Sequence, residues 1–361
     1  MLTAVPRYRV ACEKIIFSDF QYATNRGVET QLWAAHTKIS NNYRKQLNHV
    51  SRTPSETVGV HNLTIGKIQL RRNGKNRVVE LRKLAKHYLE FIKSSQRFYR
   101  QYILHLDARF EGIPELRQVT QTWKHDGMNT PTPLLRQKLI CALARSEPSQ
   151  QPLSAKLKHQ ILLSCHQTLI QLGDLSRYRE TELGEKERNW GPAIGYYGLA
   201  TEIYPDSGVS HNQQAVIARE DGNHFRTTYH LYRSLSTKER YPLAKQNLEL
   251  EFKKIVSAWE KGELINNRSA RDGNSAGRAL VAWFVRLHSK CYKGEDFAEH
   301  DELENEVLSQ LAIELKERSL DGMLYKIILI NLTAEYFATI QMQGLSLPPG
   351  FTYSMKLTKS S

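Results

Sequence analysis

Between Lys67 and Arg109 the chain places twelve lysines and arginines against three acids, Glu80, Glu90 and Asp107. Cations at that density neutralise phosphates, and the interleaved Tyr88, Phe98 and Tyr99 could stack bases. A solvated helix face whose aromatics turn to the core has the same pattern, so both readings stand. Within the run, Arg71, Arg72, Lys75 and Arg77 (RRNGKNR) read as an exposed loop that contacts nucleic-acid phosphates or serves as a localisation signal. A second pair of cations, Lys38 and Lys45, is seven residues apart. Seven residues is close to two helical turns, so both would project from one face. No catalytic set accompanies these cations. His300-Asp301-Glu302-Leu303-Glu304 lacks the H-E-x-x-H spacing and reads as a solvated acidic face. The phosphate-binding Gly-x-x-x-x-Gly-Lys-Ser/Thr is absent from the sequence. The expectation is a non-enzymatic protein with no cofactor and no metal.

The 361 residues carry a formal net charge of +14, with 40% hydrophobic and 24% charged residues. That balance fits a globular protein, excludes disorder as the main state, and favours two domains. No stretch reaches the roughly 18 apolar residues of a membrane span, and the N-terminus has no apolar core of a secretory signal. Cys12, Cys141, Cys165 and Cys291 are scattered and form no C-x-x-C, which points to a reducing compartment and away from zinc or a disulfide framework. The basic excess points to an anionic partner: nucleic acid, phosphoprotein or acidic peptide.

The elements that must position these residues read as helices throughout, so the fold class is all-α. In Val28–Val50 the apolar positions Leu32, Ile39, Tyr43, Leu47 and Val50 recur at threes and fours. Val78–Phe110 keeps one apolar stripe without Gly or Pro, a length that suggests a bundle or a helical repeat. Glu111–Thr132, with Gly112, Pro114, Gly127 and Pro131, reads as a long loop. Pro133–Arg145 follows as a helix, Ser146–Pro152 as a loop, and Ser154 as the cap of the next helix. Trp190–Tyr204 and His211–Glu220 are further helices.

A tetratricopeptide unit wants Ala, an aromatic, Ala and Pro at offsets 0, +4, +7 and +12 of its second helix, so that two helices cross closely. Ala193, Tyr197, Ala200 and Pro205 match, and Leu172-Gly173 supplies the Leu-Gly of the first helix. The join is about eight residues longer than the repeat allows, with the excess near Glu180–Arg188. Asn212–Leu235 reads as a degenerate second copy. CHQTLIQLGDLSRYRE, PAIGYYGLATEIYPDSGVSHNQQAVIARE and YHLYRSL together resemble the ever-shorter-telomeres/Smg family of telomerase and nonsense-mediated mRNA decay adaptors, with a weaker echo in VETQLWAAHTK.

The resemblance implies a 14-3-3-like helical domain with degenerate tetratricopeptide hairpins over residues 1–250, then α-α hairpins over 251–361. It implies a phosphoserine pocket built from Lys38, Lys45, Arg177 and Tyr178, with Asn212 clamping the peptide backbone. A phosphoserine has about −1.5 to −2 charges and three acceptor oxygens, so several donors must converge on it. Arg177 would offer a bidentate fork and Lys45 a point charge where 14-3-3 proteins have arginine. The implied function is a phosphoserine-peptide adaptor in nonsense-mediated mRNA decay; the alternative is a telomere factor binding single-stranded nucleic acid or telomerase RNA. The implied partners are a phosphorylated protein such as the tail of an mRNA-surveillance helicase, RNA or single-stranded DNA, and a homo- or heterodimer mate from the same family. The implied location is nucleus and cytoplasm, without a membrane. Some family members end in a metal-dependent nuclease domain; after Pro348-Pro349-Gly350 there is no room for one, and a truncated member or fragment is the expectation. If Ala200 sits at a close helix crossing, Ala200→Leu overpacks it and lowers the unfolding free energy in urea by about 1–3 kcal/mol.

Overall fold

The computed structural model describes residues 4–52, 65–125, 153–183, 188–266, 277–292, 297–317, 320 and 322–345. Every regular element among them is a helix, and the β-type pairing among the described residues is one isolated bridge between Ser207 and Glu239. No described helix is long and apolar enough to cross a membrane. The chain divides into two compact units, Met1–Ile203 and Tyr204–Ser361.

The first unit contains α1 (Ala4–Ser18), α2 (Phe20–Asn25), α3 (Val28–Arg52), α4 (Ile65–Arg109), α5 (Pro114–His125), α6 (Ala155–Leu183) and α7 (Gly191–Ile203). Asp19 starts α2 by accepting from the Tyr22 amide at 2.8 Å, which satisfies one of the helix's orphan donors. Gly27, at φ 63°, separates α2 from α3. Helix α4 is 45 residues long, roughly 68 Å at 1.5 Å per residue. Its buried row, Tyr88, Phe91, Ile92, Ser95, Tyr99, Tyr102, Ile103 and Leu106, recurs at threes and fours. Tyr88 and Tyr99 therefore face the core and offer no stacking surface, and Phe98 lies under the Arg9 guanidinium at 5.4 Å.

Two expectations are corrected in this unit. The RRNGKNR run is helix rather than loop, since α4 already begins at Ile65. Arginine and lysine are good helix formers, and Gly74 costs only about 1 kcal/mol against alanine. The side chains of Arg71, Arg72, Lys75 and Arg77 lie outside the described residues. The Glu111–Thr132 stretch, expected as a loop, contains α5. Gly112, at φ 93°, and Pro114 sit at its entrance rather than within it, where proline suits a first helical turn. Leu116, Val119, Thr120 and Trp123 then bury one face. Asp107 of α4 ties the two helices together, accepting from Arg117 Nε and Thr120 Oγ1, both at 3.0 Å. The helix expected over Pro133–Arg145 lies outside the described residues, as does the loop before Pro152. Ser154 caps α6 as expected, accepting from the Leu157 amide at 3.2 Å.

Helix α6 is buried on all sides from Ser164 to Ser176, apart from Gln167, because it packs against α3, α4, α5 and α7 together. Its closest neighbour is α7. A Cβ on Gly173 would lie 2.3 Å from Cε1 of the Tyr197 ring, which is itself fully buried. Ala193 and Ala200 are fully buried, and His166 Nδ1 is 2.9 Å from the Ala200 carbonyl oxygen. The small residues of the repeat pattern are thus what let α6 and α7 approach.

The second unit contains α8 (Val209–Glu220), α9 (His224–Ser236), α10 (Ala244–Glu260), α11 (Glu263–Asn266), α12 (Arg278–Cys291), α13 (His300–Glu317) and α14 (Met323–Leu345). Residue 250, where the sequence places a domain boundary, lies inside α10. The α8–α9 hairpin turns at Gly222, φ 69°, and Asn223 caps α9 by accepting from the Arg226 amide at 2.9 Å. Gly208 meets α9 as Gly173 meets α7: an added Cβ would lie 2.5 Å from the Ser234 carbonyl oxygen. The core of this unit gathers on α9, where Leu231, Tyr232 and Leu235 pack with Leu248, Phe252, Leu280, Phe284 and Ile330.

Glycines that look alike in the sequence should respond oppositely to alanine. Gly173→Ala drives a methyl into the Tyr197 ring and is expected to cost about 1–3 kcal/mol. Gly195, in helix α7 with open space around its Cα, should gain about 0.5–1 kcal/mol on the same change. Urea denaturation of the two variants against wild type reads both signs.

Candidate functional site

On α6, Asp174, Tyr178 and Glu182 follow at four-residue steps and so form one row on the helix surface. Each carboxylate of the row holds one arginine, and the tyrosine ring lies between them. Asp174 Oδ1 accepts from Arg177 Nη2 at 3.1 Å and from the Tyr197 hydroxyl at 2.7 Å. Glu182 Oε1 accepts from Arg44 Nε of α3 at 2.7 Å. The Arg177 guanidinium is 4.8 Å from the centroid of the Tyr178 ring, and that of Arg44 is 5.0 Å from the same ring. Two guanidiniums thus share one aromatic ring and lie within about 10 Å of each other, each attracted by the ring's quadrupole.

The surroundings fix the charge states. Burial pushes the Asp174 carboxyl up, against the opposing pull of Arg177 and Tyr197. Burial alone would depress the Arg177 guanidinium, but Tyr197 and Asp174 hold it above its ordinary range. Burial also raises the Tyr178 hydroxyl, with Asp174 adding to the rise. Tyr178 is therefore a neutral O–H donor and Arg177 a permanent cation. Among the described residues only Nε of Arg44 is taken, so its two amino groups remain for a ligand or water. Thr37, seven residues before Arg44 on the same face of α3, has a buried hydroxyl without a hydrogen-bond partner among the described residues.

Of the residues expected to form the pocket, Arg177 and Tyr178 meet here, beside Arg44. Lys38 and Lys45 are exposed and have no ion-pair partner among the described residues. They lie about 100° around α3 from Thr37 and Arg44. The seven-residue spacing read from the sequence rests on Lys38 and Lys45 and does not single out Arg44. The signal that finds Arg44 is the buried row Leu32, His36 and Ser40, whose next four-residue step is residue 44. Asn212 belongs to the second unit, where it is buried and its Oδ1 accepts from Asn247 Nδ2 at 2.9 Å. Arg71, Arg72, Lys75 and Arg77 lie on α4 of the first unit. His300, Asp301 and Glu304 bring ligand-type atoms within 4.8 Å of one another at the start of α13, with Asp301 97% exposed. Of the solvated face read from the sequence, Asp301 and Glu302 are exposed, whereas Leu303 is buried and the His300 and Glu304 side chains are largely covered.

Two family models match the chain. Residues 27–183 match the telomerase activating protein Est1 model, and residues 193–346 match the Est1 DNA/RNA binding domain. The nonsense-mediated mRNA decay factor SMG7 of Arabidopsis thaliana is 26% identical over 272 residues, 75% of this chain and 23% of that protein. An SMG7-like factor of the same plant is 46% identical over 95 residues, 26% of this chain and 11% of that protein. The chain thus spans less than a quarter of the length of these curated relatives. A chain in the crystal structure of Est1 and Cdc13 covers 97% of this chain with 68% of its own length, at a TM-score of 0.55 and 13% identity, a likeness in fold.

The buried Asp174–Arg177 pair should be costly to break singly. Asp174→Ala leaves a buried guanidinium without its carboxylate and is expected to cost about 3–5 kcal/mol. Adding Arg177→Met to that variant should recover part of the loss. A double-mutant cycle by urea denaturation measures the difference, and an additive cycle would mean the two side chains are independent.

Proposed function

The chain belongs to the ever-shorter-telomeres/Smg family, and from that premise we propose that it is a non-catalytic adaptor that reads a phosphoserine peptide at the α3–α6 face. The single observation that carries this reading is the convergence of Arg44 and Arg177 on the Tyr178 ring. A phosphoserine brings about −1.5 to −2 charges and three acceptor oxygens. Two guanidiniums and the Tyr178 hydroxyl are donors of the kind those oxygens need. Asp174 and Glu182 each already bind one arginine. They fix the forks in place before the ligand arrives, which lowers the ordering cost of binding. Lys38 and Lys45, exposed beside this face, would attract a phosphopeptide from solution without touching its phosphate.

The relatives named for nonsense-mediated decay favour a role in mRNA surveillance, in nucleus and cytoplasm, with a phosphorylated protein such as a surveillance helicase as partner. The match of residues 193–346 to an Est1 DNA/RNA binding domain favours a second reading, a telomere factor that also holds nucleic acid through its second unit. Competition separates them: a phosphoserine peptide displaces the first kind of ligand and leaves the second bound.

Titration of matched phosphorylated and unphosphorylated serine peptides into the full chain tests the pocket. The phosphorylated peptide should bind at least tenfold tighter, and Arg44→Gln should remove most of that preference while leaving the helical circular dichroism unchanged. Lys38→Gln and Lys45→Gln should weaken both peptides only slightly. Equal affinity of the wild type for the two peptides would overturn the reading.

A further inference from the structure

Helix α4 turns a second face outward, away from its aromatic core row. Arg82, Lys86, Lys93 and Arg97 are all exposed and fall within an arc of about 60° around the helix axis. They run in a line of roughly 22 Å, spaced about 6, 10 and 6 Å along it. None of the four has an ion-pair partner among the described residues. Glu90, at the edge of the arc, is the one acid beside them; Glu80 lies on the far side of the helix. Arg82 with Lys86, and Lys93 with Arg97, are like-charge pairs at the four-residue spacing, which weakens a helix. An ordinary solvated helix face alternates its signs. This one concentrates a single sign against that cost.

We infer that this stripe is a docking site for the phosphate backbone of a nucleic-acid double helix, bound without regard to base sequence. The occupant follows from what the stripe has and what it lacks. It has a cation for every second or third phosphate of a strand that advances about 3.4 Å per phosphate along the duplex axis. It lacks an aromatic on which an unpaired base could stack, since Tyr88, Tyr99 and Tyr102 are all buried, and single-strand binders rely on such platforms. It also lacks an exposed large apolar side chain between the cations to anchor a folded protein: Leu89 there is half-buried, and the exposed Val78 and Val79 lie before Arg82. Contacts to phosphate alone give register and affinity but carry no sequence information. The stripe belongs to the first unit, outside residues 193–346 that match the DNA/RNA binding model. It is also separate from Arg44, Arg177 and Tyr178, so it stands independently of the phosphopeptide reading.

The test uses the full chain and four probes: a mixed-sequence RNA duplex, the matching DNA duplex, an unstructured single strand of equal length, and polyglutamate. Wild type should bind a duplex more tightly than the single strand or polyglutamate, with an affinity that falls steeply with salt. In the variant Arg82→Gln/Lys86→Gln/Lys93→Gln/Arg97→Gln, duplex affinity should fall at least tenfold at low salt, and the slope of log K against log salt should flatten by about three to four. A control with the same charge loss elsewhere on this unit, Arg7→Gln/Lys14→Gln/Arg26→Gln/Lys156→Gln, should keep most of the affinity and slope. Phosphopeptide binding should be the same in all three proteins, which distinguishes failure of the stripe from failure of the pocket. Equal losses in stripe and control variants would overturn the inference, because the effect would be one of net charge. Binding of the single strand or polyglutamate as tightly as either duplex would overturn it as well. The two duplex probes tell whether RNA or DNA geometry is preferred.

Discussion

The approach of Tyr197 to the bare Cα of Gly173 is the contact on which the candidate site depends. With no Cβ in the way, the tyrosine ring lies flush against α6, and its hydroxyl reaches Asp174, the next residue along. Asp174 then has two donors, Tyr197 and Arg177, and a buried carboxylate needs that compensation. Arg177, held from one side, extends over Tyr178, and the ring meets Arg44 from α3. A local absence of one methyl group thus sets the position of two cations from different helices.

Arg9 and Glu29 of the first unit are also buried polar groups with several partners. Arg9 is buried, yet no carboxylate faces it among the described residues. Its three nitrogens donate to His36 Nε2 at 2.9 Å, Ser94 Oγ at 2.7 Å and Ser95 Oγ at 2.6 Å. Burial depresses His36 to about 4, so at neutral pH the ring carries one proton. With that proton on Nδ1, aimed at the Leu32 carbonyl oxygen 2.8 Å away, Nε2 is free to accept from Arg9. Glu29 of α3 accepts from the Tyr102 hydroxyl at 2.6 Å and from Ser164 Oγ, and burial raises its pKa. These networks join α1, α3, α4 and α6 by directional bonds. They fix the rotation of α3 about its own axis, which apolar contacts alone would hold less strictly.

The candidate pocket and the α4 stripe differ in how their charge is managed. Arg44 and Arg177 each have a carboxylate partner, which holds the guanidiniums in place. Arg82, Lys86, Lys93 and Arg97 are exposed and have no ion-pair partner among the described residues, an arrangement that suits a ligand of extended and repeating charge.

The sequence by itself determined the helical class, the close α6–α7 hairpin and the place of Arg177 and Tyr178. All three are written in short-range pattern: apolar residues at threes and fours, and small residues where helices cross. Tertiary structure decided which cation of α3 meets the Tyr178 ring. Arg44 and Lys45 are neighbours in sequence but about 100° apart on a helix, and the burial of His36, Ser40 and Leu47 turns Arg44 inward and leaves Lys45 in solvent. Tertiary structure also made a helix of Pro114–His125, whose glycine and proline neighbours read as a loop until Asp107 and the faces of α4, α6 and α7 supply its partners. The physical reason is common to both cases. Periodicity fixes that a segment is a helix, but its rotation and its partners depend on long-range contacts that no local spacing records.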